Sequence, residues 1–134
     1  MDMRANKTFD DTVREYVLNH HIKRWQNKDE YTGQKGVLTE PHEIFPGSNR
    51  KRCFYVENCI FWVTRETHEK IQGNETASIQ LIQNRLKENQ VAAIKYYERL
   101  KLLVNTFDIK KARFMWKTFF ANCEIGEIPL VRCQ

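Results

Sequence analysis

The sequence predicts an α+β fold in a single domain, and three observations carry that expectation. Apolar residues recur at helical spacing near the N-terminus and again through the C-terminal half. Between them lies a run rich in aromatic and β-branched residues, Cys53 to Val63, which suits strands. Glycines at 33, 36, 47 and 73 punctuate the middle of the chain, where turns are needed. At 134 residues with 41% hydrophobic residues, the chain supports one domain over residues 1–134 and a modest core.

The elements follow in order. Phe9, Val13, Val17 and His21, together with Leu18, Ile22 and Trp25, mark a helix from about Phe9 to Lys28, with Asp10 or Thr8 as its cap. Gln34-Lys35-Gly36 makes a turn, and Val37 to Phe45 reads as a strand interrupted at Pro41, which has no N–H to give a ladder. Residues 46–52 form a polar, basic loop. Cys53 to Val63 reads as one strand, or as two arms with a turn at Glu57-Asn58. Thr64 is placed to cap a short helix from Arg65 to Gln72, which Gly73 ends.

Two longer helices complete the chain. Ile79, Ile82, Leu86, Ala93, Tyr97, Leu100 and Val104 form one stripe, which predicts a single helix from about Glu75 to Val104. Ile109, Ala112, Trp116, Phe119 and Cys123 form a second stripe in the last helix. Trp116 and Phe119 are assigned to the core, with a partner-binding groove as the sharper alternative. The tail Ile128-Pro129-Leu130-Val131 is expected to add an edge strand or to dock on the core.

Composition narrows the function classes. No apolar run approaches 18 residues and Met1-Asp2-Met3-Arg4 has no signal-peptide pattern, so the expectation is a soluble cytoplasmic protein with no membrane partner. Cys53, Cys59, Cys123 and Cys133 lack the two-residue spacing of a zinc knuckle. Disulfides are disfavoured in a reducing compartment, and Cys59 and Cys123 read as small buried apolar groups. The formal net charge is +5, and its placement says more than its size. Arg50, Lys51 and Arg52 cluster in the central loop, and Lys110, Lys111, Arg113 and Lys117 lie in the last helix. Such groups can hold backbone phosphates without reading base sequence, which points to DNA, although a solvated helix face explains the second cluster almost equally well.

The densest chemistry lies in Pro41-His42-Glu43-Ile44-Phe45-Pro46-Gly47-Ser48-Asn49-Arg50-Lys51 and, after the apolar segment Cys59 to Thr64, in His68. A strand, a turn, a second strand and a helix can bring two imidazoles from distant positions onto one divalent ion and leave open positions for phosphate and water. In its order of elements, His42-Glu43-Ile44-Phe45, Gly47, Asn49-Arg50-Lys51, an apolar strand and a His-bearing helix, this stretch resembles the HNH endonucleases of the ββα-metal fold. The likeness is to the small phage and prophage members. It covers residues 30–73 and leaves 74–134 as a helical extension, with the segments from Arg85 to Gln90 and from Phe114 to Asn122 similar to the helical tail of those proteins.

The resemblance implies a metal-dependent nuclease acting on DNA phosphodiester bonds. His42 and His68 take the ligand positions, for Mg, Mn or Zn, and Glu43 stands where the family has its second histidine, the general base. Asn49 shapes the loop, with Asn58 as a second candidate for the motif asparagine. Arg50, Lys51 and Arg52 hold flanking phosphates. The chain departs from the family pattern in three places. Glu43 replaces the base histidine, Gln72 stands one turn after His68 where a further ligand is common, and Tyr31-Thr32-Gly33 stands where a Cys-x-x-Cys-Gly is often found. Those departures favour an alternative of another class, a catalytically lapsed HNH fold that binds nucleic acid or blocks a host nuclease. A third reading, a helical interaction protein without a metal, requires His42 and His68 to lie far apart. The only His-His-Ile of the chain, His20-His21-Ile22, sits inside the first helical pattern with no glycine loop after it, and reads as helix surface or boundary.

Overall fold

The computed structural model describes residues 3–25 and 27–133, without the side chains of residues 3 and 23–25, so the part expected of Trp25 lies outside the described side chains. The architecture is α+β: helices α1 (Met3–Trp25), α2 (Arg50–Cys53), α3 (Arg65–Ile71), α4 (Glu75–Leu86), α5 (Gln90–Thr106) and α6 (Ile109–Ala121), with strands β1 (Glu40–Glu43) and β2 (Ile60–Val63). A short 3-10 turn, Gly47–Asn49, leads into α2. No described helix is long and apolar enough to cross a membrane.

The two strands pair antiparallel, with Glu40 opposite Val63 and His42 opposite Phe61. In a two-stranded ribbon both strands are edges, so Pro41 is tolerated opposite Trp62. Both strands are much shorter than the apolar pattern suggests. Cys53 closes α2 instead of opening a strand, and Tyr55 and Val56 are buried by docking the tail, through Val131 N–H to Tyr55 O at 2.7 Å and Glu57 N–H to Val131 O at 2.9 Å. The turn expected at Glu57-Asn58 is present, with Asn58 at φ 64°. Val37 and Leu38 are outside β1, and Leu38 is exposed.

Thr64 caps α3 by accepting from Thr67 N–H, and Gly73 follows with φ 74°, a conformation open to glycine. The single helix expected over Glu75 to Val104 is two. Lys87 turns left-handed at φ 55°, and the Asn89 side chain accepts from Ala92 N–H to start α5, which folds back along α4. Both parts of the stripe still face the core: Ile82, Ala93, Tyr97, Leu100 and Val104 are buried, and Ile79 and Leu86 are half-buried against them.

Helix α1 starts well before Thr8, and Asp10 is not its cap. The Asp10 carboxylate lies buried in mid-helix, where it accepts from Arg113 Nε and Nη2, each at 2.9 Å, and from the Tyr55 hydroxyl. That cluster ties α1, α6 and the Tyr55 segment together. Beside it Tyr16 packs edge-on against Trp116, Phe119 and Phe120, and Trp116 is fully buried, as its stripe implies. Cys59 is buried as expected, but Cys123 is exposed, because the chain leaves α6 at Ala121 and turns through positive φ at Cys123.

Candidate functional site

The segment Asp29-Glu30 sets the frame. Asp29 Oδ1 accepts from Tyr31 and Thr32 N–H, while Oδ2 accepts from the N–H and hydroxyl of Thr64, both at 2.9 Å, at the start of α3. Burial alone would raise the Asp29 carboxyl, but hydrogen bonds from Thr67, Thr64 and Thr32 outweigh it and hold its pKa below the ordinary value. Glu30 gives its N–H to Trp62 O at 2.8 Å and accepts Trp62 N–H at 2.7 Å, so it extends the pairing beside β2. Arg85 of α4 grips Glu30 with two bonds, at 2.8 and 2.6 Å, and stacks on Phe61. β2 and the first turn of α3 are therefore fixed from both sides.

On this frame β1 carries His42 and α3 carries His68. Their rings meet edge to face with centroids 4.8 Å apart, so the condition for a metal-free helical interaction protein is not met. Both line an open cavity of about 350 Å³, with Glu43, Arg50 and Gln72 around it and Pro46, Gly47 and Gly73 completing the wall. Gly47 holds φ 74° at that rim, which explains a glycine there. His42 is 3% exposed, and its Nδ1 is buried with no hydrogen-bond partner. Burial first, then the neighbouring His68, lower its pKa from 6.5 to about 4. The ring is therefore neutral at physiological pH, which is the form that ligates a cation.

A carboxylate that sequence reasoning missed lies beside His68. Glu40 Oε1 stands 3.5 Å from His68 Nδ1, yet it makes no hydrogen bond and is buried without a partner, while Oε2 lies 3.6 Å from Arg65. The signal was available, since residues two apart on a strand share a face and Glu40 precedes His42 by two.

The other expected residues divide. Glu43 lines the cavity, and its Oε1 lies 3.4 Å from Arg50 Nε and 4.0 Å from Arg14 Nε, a contact from α1 that local sequence does not foretell. Asn49 Nδ2 donates to Asn105 Oδ1 at 2.7 Å and so ties the loop to α5. Asn58 Nδ2 donates to the Tyr96 hydroxyl at 3.1 Å, and its Oδ1 accepts from Arg85 at 3.4 Å. Neither asparagine lines the cavity. Lys51 is exposed beside it in sequence. Arg52 is not a free phosphate grip: its guanidinium donates to Val104 O at 2.6 Å and to Phe107 O, at the end of α5, and stacks over the Phe107 ring. Arg113 is likewise committed to Asp10, on the buried side of α6, whereas Lys110, Lys111 and Lys117 are exposed. His20 is on the surface of α1, stacked on Tyr16, and His21 is half-buried.

The donor set fits a cation held by two imidazoles, with the unpartnered His42 nitrogen as the observation in its favour. Among the described residues no group of three or more His, Cys, Asp or Glu is arranged to hold a metal ion, the four cysteines included. An ion at His42 and His68 would thus draw its remaining ligands from solvent or substrate oxygen. Imidazole donors suit zinc better than magnesium or manganese, which prefer oxygen. No family model matches the chain, and no curated protein or solved structure is significantly similar to it.

Proposed function

We propose that this protein is a phage-type, HNH-like nuclease that hydrolyses DNA phosphodiester bonds with a divalent ion, in the cytoplasm of the host cell. The observation that carries this reading is the meeting of His42 and His68, 26 positions apart, in one open cavity with an imidazole nitrogen that has no hydrogen-bond partner. The order of elements around them supports it as well: a short antiparallel pair runs straight into the helix that bears the second histidine.

Each residue has a task in this reading. His42 and His68 would hold the ion, which when bound supplies Lewis acidity at the phosphate and makes a coordinated water easier to deprotonate. Glu43, on the same wall, would accept the water proton through the carboxylate oxygen that does not face Arg14 and Arg50. Arg50 already sits against one anion and can exchange Glu43 for a substrate phosphate in a bidentate contact. Lys51 would neutralise a flanking phosphate. Asn49 acts on the loop through Asn105, not on substrate.

A second reading has its own support. Gln72 replaces a ligand on the face of α3 that bears His68, and Glu43 is engaged by two arginines, both of which suit a lapsed site on a protein that binds nucleic acid or a host nuclease. Elemental analysis and plasmid nicking with added magnesium, manganese or zinc separate the two. The nuclease reading requires nicking that disappears in His42→Ala and His68→Ala and falls sharply in Glu43→Gln. Nucleic-acid binding that survives all three substitutions, without nicking in the wild type, would establish the lapsed fold.

A further inference from the structure

Helix α6 has two unlike sides. Its buried side carries Ala112, Trp116 and Phe119, and its outer side presents Phe114, which is 69% exposed although it is a large aromatic residue. On a helix the neighbours of a side chain lie three and four residues away. For Phe114 these are Lys110, Lys111, Lys117 and Thr118, all exposed. Three of its four surface neighbours are therefore cations. Residues 109–121 contain no acidic residue, and Asp108 just ahead of them is used as the cap, accepting from Lys110 and Lys111 N–H. None of the three lysines makes an ion pair among the described residues, and Lys117 Nζ lies 5.4 Å from the Phe9 ring centroid.

From this arrangement we infer that the outer face of α6 is a platform for single-stranded nucleic acid, with one unpaired base stacked on Phe114 and the neighbouring phosphates held by Lys110, Lys111 and Lys117. An exposed ring inside a ring of cations meets both requirements of single-strand binding, a π-face and an electrostatic track for the backbone. A duplex keeps its bases stacked inside and offers the ring nothing. A protein partner fits less well, because lysine is depleted from the buried centre of protein interfaces and, among the described residues, the other exposed large apolar side chain of α6 is the adjacent Met115, 45% exposed. The face lies outside the His42 cavity, so the inference stands whether or not the chain cleaves DNA.

The test is fluorescence anisotropy with a labelled thymidine oligomer, the matching uridine oligomer and a duplex of equal length, in chelator so that cleavage cannot interfere. The wild type should bind the single strands more tightly than the duplex. Phe114→Ala should weaken single-strand binding by about 5- to 100-fold, the range for loss of one base–aromatic stack, and leave duplex binding unchanged. Phe114→Trp should retain it. Replacing Lys110, Lys111 and Lys117 by glutamine should weaken all three probes and flatten the salt dependence. A preference between the thymidine and uridine probes, which differ in the 2′-hydroxyl and the C5-methyl, supports the platform in either direction. Equal binding of duplex and single strand, or no effect of Phe114→Ala with an unchanged thermal melt, would overturn it. So would self-association abolished by Phe114→Ala in a protein that binds no oligomer, which would make the face a contact between copies.

Discussion

Two groups of polar residues with buried atoms flank the same pair of strands, and they differ in one respect. Glu30 is saturated: both carboxylate oxygens are bonded to Arg85, and Oε2 also accepts Trp62 N–H. On the other side, the Glu40 Oε1 and His42 Nδ1 atoms are buried with no hydrogen-bond partner, and Glu40 Oε1 only approaches His68 Nδ1, at 3.5 Å. An unsatisfied buried polar group costs stability, and a small domain has little to spare. A group left in that condition beside an open cavity is explained if something absent from the bare chain completes it. The saturated cluster holds the frame, and the unsaturated one is the cluster that the proposed ion would complete.

The largest expected effect breaks the frame. Glu30→Ala leaves the Arg85 guanidinium buried without its carboxylate, and unfolding by urea should show a loss of roughly 3–5 kcal/mol. The same class of measurement on Glu40→Gln should show little loss or a small gain, because no formed hydrogen bond is removed. A destabilisation of Glu40→Gln as large as that of Glu30→Ala would erase the distinction between the two clusters. The expected cost of Glu40→Gln falls on the ion instead: a carboxylate beside a ligating histidine orients the ring and raises its basicity. Its neutral replacement should weaken metal binding by about 10- to 100-fold in a calorimetric titration.

The sequence disclosed these two clusters unequally. His42, His68, Glu43 and Arg50 stand out in the sequence through an order that resembles a known pattern, and the fold brings all four to one cavity, with the two imidazole rings in contact. Glu40 and Arg14 were not, since Glu40 acts only through the strand face it shares with His42, and Arg14 reaches the site from a helix that local sequence cannot orient. Arg52 and Arg113 show the converse. A basic residue in a basic run reads as surface charge, yet each is consumed by acceptors distant in sequence, Val104 and Phe107 for one and Asp10 for the other. The core stripes were read correctly wherever helical phase alone decides burial. The division of the helix at Lys87 escaped because neither glycine nor proline marks it, and Asn89 was the one residue that announced a new start.

Acid separates the clusters further. The Asp29 pKa is held below its ordinary value of 3.8, so the folded state binds this proton less readily than the unfolded chain. Its contribution to stability is complete above that ordinary value and is lost as pH falls through it towards the lower folded value. Asp29→Asn should therefore lower stability at neutral pH and make the unfolding midpoint less steeply dependent on pH below about 4. An acid limb as steep in the variant as in the wild type would assign the loss to other carboxylates.

The smallest effect concerns charge outside both clusters. Lys51 is exposed and makes no ion pair among the described residues, so Lys51→Ala should change stability by no more than about 0.5 kcal/mol. If Lys51 meets a phosphate when DNA occupies the cavity, its loss should weaken binding of any DNA sequence alike and reduce the slope of log affinity against log salt by about one. Arg52→Ala supplies the contrast, because its guanidinium already closes the carbonyl end of α5: it should cost stability and leave the salt slope unchanged. A slope that responded to Arg52 and not to Lys51 would mean that the carbonyl contacts give way to phosphate when DNA binds, and that the loop rearranges around its ligand.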